Sequence, residues 1–248
     1  MNSVQMIPNY AIVIPMANEE SEFHSFTNEL IHTLDKLGAG TVYLVVDNVS
    51  KDKTLELCNG LSEKDNRFKT IWAPDNKNIV DAYMRGYREA VENNHELIIE
   101  MDAGLSHDPR AIPMFLRVLN EGNECAFGSR FINGGSIWQS NWKRTFLSRV
   151  GTILSNLLLG TRMYDMTSGY QGFHISIVKK FLDYKLLSKA HFYQTEIRYL
   201  LRKTKYAEIP IHYRAPSPSV SKKAINNSIY VLFYYFALRV RGRKISIN

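Results

Sequence analysis

Four short apolar runs, each starting 27 to 31 residues after the one before, frame this chain: Tyr10–Pro15, Thr41–Asp47, Phe68–Ala73 and Leu97–Asp102. Helical patterns fill the gaps, from Asn18-Glu19-Glu20 to Leu37, from Ser50 to Leu61, and over Asn78–Asn93. The last carries Ile79, Tyr83, Gly86, Tyr87 and Ala90 on one face. Strands alternating with helices of this length make βαβ units and a largely parallel sheet. Strands without polar alternation are covered on both faces. The expectation is an α/β fold with a mostly parallel central sheet.

Two of the runs end in a carboxylate, Asp47 and Asp102. In open α/β sheets ligands bind beyond the carboxyl ends of the strands, where a carboxylate can hold a metal ion or a sugar hydroxyl. The other reading of Asp102 is a cap for the helical segment opened by Pro109. Two acidic strand ends suit a nucleotide-sugar, one for base or ribose and one for metal or sugar. No GxGxxG follows the first strand, and GxxxxGK[ST], HExxH and GxSxG are all missing. Dinucleotide-binding dehydrogenases, P-loop enzymes, zincins and serine hydrolases are thereby disfavoured.

In the second half, Cys125–Arg130 reads as a strand that ends with Arg130 beside Gly128 and Ser129, a natural pyrophosphate contact. Residues 131–136 read as a mobile loop. Trp142–Leu159 is helical, with Arg144 and Ser148 one turn apart, so that guanidinium and hydroxyl can share one phosphate. Residues 165–173 are turn-rich and aromatic, and Tyr193-Gln194-Thr195-Glu196-Ile197 opens a helix. Tyr206–Tyr213 is a last strand, and Pro210 within it marks an edge.

The net charge of +7 is unevenly placed. No acidic residue follows Glu208, while Arg214, Lys222, Lys223, Arg239, Arg241, Arg243 and Lys244 account for the whole excess. Something anionic is expected at that end, and a tail of this kind is not the basic stripe of a nucleic-acid binder. The apolar run Ile229–Leu238 is too short to span a bilayer. It suits a helix lying in a membrane interface, or one packed on the core with a solvated basic tail. Residues 1–224 are read as the catalytic domain and 225–248 as an amphipathic, basic C-terminal helix. The N-terminus has no signal-peptide pattern. Cys58 and Cys125 read as inert thiols of a reducing cytoplasm.

Ile12-Val13-Ile14-Pro15 with Glu19, Val45-Val46-Asp47, Met101-Asp102-Ala103, Gly128-Ser129-Arg130 and Asp165-Met166-Thr167 occur in that order. In this the chain resembles the inverting family 2 glycosyltransferases of GT-A fold, in the dolichyl-phosphate mannosyltransferase or polyprenyl-phosphate sugar synthase branch. The resemblance covers residues 8 to 224 and implies a Rossmann-like, three-layer α/β/α architecture. It implies that Pro15, Glu19 and Asp47 bind the base and ribose of a GDP- or UDP-hexose. Asp102 would hold a divalent metal, Mg2+ or Mn2+, and the donor diphosphate, and Arg130 would contact phosphate. Arg144 and Ser148 match acceptor-phosphate positions. Gln194 and Glu196 match an FQxEM-like segment near the sugar, and Arg214 with Ser221 and Lys222 a late loop over the donor.

Two departures stand out. The family's Asp-Asp after the second strand is Asp47-Asn48, and its Asp-x-Asp is Asp102-Ala103-Gly104. A metal would lose one anionic ligand; Glu100, Ser106 and His107 are the nearby substitutes, with Glu100 read as buried and His107 as a surface residue. The function implied is transfer of a mannose- or glucose-type hexose to a polyprenyl phosphate, at the cytoplasmic face of a membrane. One rival is transfer to a sugar hydroxyl of a capsule, lipopolysaccharide or glycolipid precursor, with Glu196 or Asp165 as base. Another is an idle homologue that only binds a nucleotide-sugar.

Overall fold

The computed structural model describes residues 8–38, 40–138, 142–214, 221–243 and 245–247, without the side chains of Lys143 and Arg144. The strands are β1 Tyr10–Met16, β2 Gly40–Val46, β3 Phe68–Trp72, β4 Leu97–Glu100, β5 Cys125–Ser129, β6 Ser136–Ile137, β7 Gln171–His174, β8 Tyr206–Pro210 and β9 His212–Tyr213. The α-helices are α1 Phe23–Leu34, α2 Thr54–Lys64, α3 Ile79–Glu92, α4 Ile112–Asn120, α5 Trp142–Leu159, α6 Ile175–Leu182, α7 Tyr193–Leu200 and α8 Lys222–Val240. Seven strands form one sheet in the order β3-β2-β1-β4-β7-β5-β8. All neighbours in it are parallel except β7, which runs antiparallel to both β4 and β5.

The period of two splits β1 between two cores. Ala11 and Val13 face α3, α6 and α7, while Tyr10, Ile12 and Ile14 face α1 and α4. Helices thus cover both faces, which is why these strands carry no polar alternation. A glycine inside a helix costs about 1 kcal/mol against alanine, yet Gly86 sits mid-way along α3. The reason is close approach: a Cβ there would collide with Val13 Cγ1 of β1.

The first four strands and three helices fall where the sequence puts them, with ends shifted by a few residues. α1 starts only at Phe23, because Asn18–Glu22 form a loop bonded to the turn after β2. β7 and α6 have no counterpart in the sequence reading, which treated 165–173 as turns. Pro210 ends β8, an edge strand as expected, and the chain continues into β9, which pairs with β6. The segment read as a mobile loop closes through Gly135 N–H to Ile132 O at 2.9 Å and leads into β6. α8 begins at Lys222, so the boundary drawn between 224 and 225 falls inside its first turn. Among the described residues no helix is long and apolar enough to cross a membrane.

Candidate active site

β1 lies between β2 and β4, and the chain leaves the sheet's carboxyl edge on either side of it. That is the switch point at which open α/β sheets bind ligands. Asp47 follows β2 directly and Asp102 lies two residues past β4, so the two acids flank the end of β1. Asp47 is buried, with Oδ1 accepting from Val49 N–H at 2.9 Å, the Asx turn that carries the chain toward α2.

The loop after β1 is fastened to this turn. Asn18 adopts φ +58°, a left-handed conformation that asparagine tolerates. Its N–H donates to Ser50 Oγ at 3.1 Å, and its Oδ1 accepts from Lys51 N–H at 2.8 Å. Glu19 N–H donates to Thr54 Oγ1 at 2.8 Å. Pro15 is buried within β1.

Asp102 is the more accessible of these two acids, half-buried with its side chain 30% accessible. Tyr83 of α3 donates to its Oδ1 at 2.7 Å, while Oδ2 stands 3.7 Å from His107 Nε2. His107 is a correction to the sequence reading: it is buried. Gly104, at φ +69°, turns the chain back so that His107 Nδ1 accepts Asp102 N–H at 2.9 Å. The imidazole stacks on Tyr170 with centroids 4.7 Å apart, and burial lowers its pKa. A neutral ring with its proton on Nε2 therefore faces Asp102. A Cβ on Gly104 would lie 3.4 Å from Glu19 Oε2. The Glu19 carboxyl is pushed up to about 7, by burial first and then by the charges of Asp102, Asp52 and Glu22.

Behind Asp102 lies a buried polar layer. Glu100 accepts from Tyr87 and Tyr193 hydroxyls and from Gln171 Nε2 at 3.2 Å, and burial pushes its carboxyl up to about 7. It faces the interior, as the sequence reading held. Arg198 was missed. It is wholly buried in α7, donating to the carbonyl oxygens of Asp165, Gly128 (3.1 Å) and Ser168 (2.9 Å), and burial lowers it to about 10. It ties the ends of β5 and the 165–168 turn together. The one available signal was that its flanks, Ile197 and Tyr199-Leu200-Leu201, are all apolar.

Several expected ligand contacts are otherwise engaged. Arg130 is paired with Asp165, Nε to Oδ2 at 2.7 Å and Nη2 to Oδ1 at 2.9 Å, and the pair is buried. Burial raises the Asp165 carboxyl, but the Arg130 charge and hydrogen bonds outweigh it and hold it at about 2. Arg214 reaches the site but binds Asp108 Oδ2 at 2.6 Å and Glu29 Oε2 at 2.7 Å. Glu196, expected near the sugar, is wholly buried and accepts from Leu187 and Ser188 N–H at 2.9 and 2.8 Å and from Tyr235 OH at 2.7 Å. Gln194 is buried against the Gly169 turn.

Ser221 is the N-cap of α8, its Oγ accepting from Ala224 N–H at 3.2 Å, and Lys222 is exposed in the first turn of that helix. Residues 215–220, which lead from Arg214 to this cap, lie outside the described residues. Ser148 is half-buried on α5, one turn from residue 144, whose side chain also lies outside them. α5 is seated on the 165–167 turn through Met166 N–H to Thr152 Oγ1 at 3.1 Å.

Comparison with known proteins agrees with this geometry. Polyprenol monophosphomannose synthase of Mycolicibacterium smegmatis is 26% identical over 235 residues, 94% of this chain and 87% of that protein. Dolichol-phosphate mannosyltransferase of Pyrococcus furiosus is 29% identical over 163 residues, 66% of this chain and 44% of that protein. A crystal structure of glucosyl-3-phosphoglycerate synthase from Mycobacterium tuberculosis with Mn2+, UDP and phosphoglyceric acid matches with a TM-score of 0.67 at 15% identity, over 92% of this chain and 78% of that one. That likeness establishes the GT-A fold. The family model for glycosyl transferase family 2 matches residues 11–182, more than two thirds of the chain. The chain belongs to glycosyl transferase family 2.

Proposed function

We propose that the protein transfers a mannose- or glucose-type hexose, with inversion, from a nucleoside-diphosphate sugar to a polyprenyl phosphate at the cytoplasmic face of a membrane. The observation that carries the acceptor class is the burial of both candidate bases. A hydroxyl acceptor needs a carboxylate to take its proton. Asp165 is locked to Arg130, and Glu196 is filled by three donors. A lipid phosphate arrives already anionic and needs no base. The names of the relatives, both lipid-phosphate mannose synthases, point the same way.

In this reading Pro15 and Asp47 line the base and ribose end, and Asp102 faces the diphosphate. A phosphate oxygen of the acceptor attacks the anomeric carbon as the bond from that carbon to the donor diphosphate breaks, and the nucleoside diphosphate leaves. Catalysis is then positioning and charge stabilisation. Arg144 and Ser148 are our candidates to hold the acceptor phosphate. Arg130 and Arg214 act by position, fixing the turns at 165–167 and 106–108, since each guanidinium is held by carboxylates.

The GT-A fold implies a divalent metal, and the donor chemistry fits. Asp102 has a side chain 30% accessible, with Oδ2 3.7 Å from His107 Nε2, and its carboxylate offers hard oxygens of the kind Mg2+ and Mn2+ take. When bound there, such an ion would neutralise charge developing on the leaving diphosphate. Among the described residues no group of three His, Cys, Asp or Glu could hold a metal. The diphosphate and water would therefore supply most ligands.

The membrane reading is supported by where apolar surface lies. Of sixteen exposed large hydrophobic residues among the described ones, six lie on α5 and six on α8. The two helices meet where Arg239 donates to the carbonyls of Leu157 and Leu158 at 2.7 and 2.9 Å. Exposed aromatic surface beside Arg241 and Arg243 suits the interface of an anionic leaflet.

Calorimetric titration with GDP, UDP and their hexoses tests the donor half. Binding of one nucleotide, lost in Asp47→Ala, is expected. A folded protein that binds neither would overturn the reading in favour of an idle homologue.

A further inference from the structure

We propose that Tyr83 of α3 is a positioning residue for the donor site: its hydroxyl fixes the carboxylate of Asp102 from the core side, and a layer of buried tyrosines bound to Glu100 fixes Tyr83 in turn. The inference rests on the donor reading above and adds to it a residue that acts through Asp102.

The motif Asp102-Ala103-Gly104 offers one carboxylate, so the direction of that carboxylate matters. The torsion that turns an aspartate carboxylate is broad and roughly two-fold. A half-buried carboxylate just past a strand end therefore turns unless other groups restrain it. Two groups do. His107 Nδ1 accepts the Asp102 N–H at 2.9 Å and holds the backbone. Tyr83 donates to Oδ1 at 2.7 Å and holds the carboxylate itself, with Oδ2 standing 3.7 Å from His107 Nε2.

Tyr83 reaches Asp102 because α3 is pressed onto β1, where Gly86 leaves no room for a Cβ beside Val13. In the sequence it belongs to an apolar stripe that reads as core, and it is wholly buried. Its ring lies 5.4 Å from that of Tyr193 and 6.3 Å from that of Tyr87. Both neighbours donate their hydroxyls to Glu100, which also accepts from Gln171 Nε2 at 3.2 Å. Three tyrosines from α3 and α7 thus hold two carboxylates that stand two residues apart on the chain. A ring packed against two others that are themselves tethered keeps one direction for its hydroxyl. Holding a working group by a side chain locked in place is what catalysis by positioning requires.

A buried tyrosine hydroxyl takes a partner in any core, and that alone would place Tyr83 on Asp102. The two roles separate in Tyr83→Phe, which keeps the ring and removes the hydrogen bond. A packing role would move the melting temperature and leave the site unchanged. Calorimetry in Mn2+, with whichever of GDP or UDP the wild type binds, reads the donor site. Steady-state transfer to polyprenyl phosphate gives kcat and KM. In Tyr83→Phe nucleotide affinity in Mn2+ should fall at least about tenfold, the cost of losing a group that orients a metal ligand. The kcat should fall with it, while KM for the polyprenyl phosphate stays unchanged.

In an Asp102→Ala background the same substitution should change affinity and kcat no further, because its effect passes through Asp102. Thermal melting checks folding. Tyr83→Met, an adaptable core side chain without a hydroxyl, takes the place of the phenylalanine variant if that one does not fold. A folded Tyr83→Phe that binds and transfers as the wild type does overturns the inference, whatever its melting temperature. So does an equal loss with and without the Asp102 carboxylate. A wild type that binds neither nucleotide, or an Asp102→Ala variant that binds and transfers normally, instead overturns the donor reading on which the inference rests.

Discussion

Asp165 and Asp102 belong to one sheet edge and live under opposite conditions. Asp165 has no exposure and a bidentate arginine, while Asp102 is 30% accessible, with one oxygen held by Tyr83 and the other 3.7 Å from His107 Nε2. Removing one partner of a buried ion pair costs about 3–5 kcal/mol, because the other charge is left uncompensated. Asp165→Asn should destabilise by that order in denaturant unfolding. The pH dependence follows from the sign of the shift. Folded Asp165 titrates at about 2, below its ordinary 3.8. Its contribution is complete above the ordinary value and is lost as pH falls toward 2. Acid unfolding of the wild type should show this slope, and Asp165→Asn should lack it. At this scale the sequence makes the strand-end acids legible, since position after an apolar run marks them. His107 and Arg198 were not legible: their burial depends on a left-handed glycine turn and on carbonyls brought from two distant segments, the end of β5 and the 165–168 turn.

Elements show why some helices carry residues that look functional. Glu196 lies in the segment matched to the sugar site, yet its carboxylate ties the 187–188 turn and Tyr235 of α8 to α7. Glu196→Ala should cost about 1–3 kcal/mol for each donor left unsatisfied, read as a lower melting temperature, with hydrogen exchange fastest in α8. A role at the sugar would instead lower transfer in a protein of unchanged stability. Gly86→Ala would push α3 off β1, and overpacking of this kind costs about 1–3 kcal/mol. Nucleotide affinity should fall with it, because Tyr83 on the same helix orients Asp102. Long elements with clear periodicity, such as β1, β2, α3 and α5, could be read directly. β7 could not: it has four residues, one of them Gly172, and runs against the direction of its neighbours.

The proposed function uses two surfaces, the carboxyl edge of the sheet and the exposed apolar residues of α5 and α8. The account places the sugar donor at the first and the lipid at the second. Vesicles with anionic lipid should bind the protein, and release it as salt rises. Each basic residue near such a surface is worth about 1 kcal/mol. Arg241→Ala with Arg243→Ala should weaken vesicle binding by about thirtyfold, the two contributions adding, with nucleotide affinity unchanged. Equal flotation of variant and wild type would remove the tail from the membrane account. The basic bias was visible in the sequence, as was the apolar run of α8. The exposed face of α5 was not, because its composition is that of a core helix, and only its position leaves it uncovered.

The most direct test of the central claim is transfer itself. Purified protein is incubated with radiolabelled GDP-mannose or UDP-glucose and a polyprenyl phosphate in detergent, and the label entering the organic phase is counted. The account predicts lipid-linked label that requires the phosphate and is lost with the free polyprenol. It should fall at least about 100-fold in Asp102→Asn, the scale of a lost transition-state stabiliser. Equal label transfer to free polyprenol, or none from either donor by a folded protein that binds the nucleotide, would contradict it.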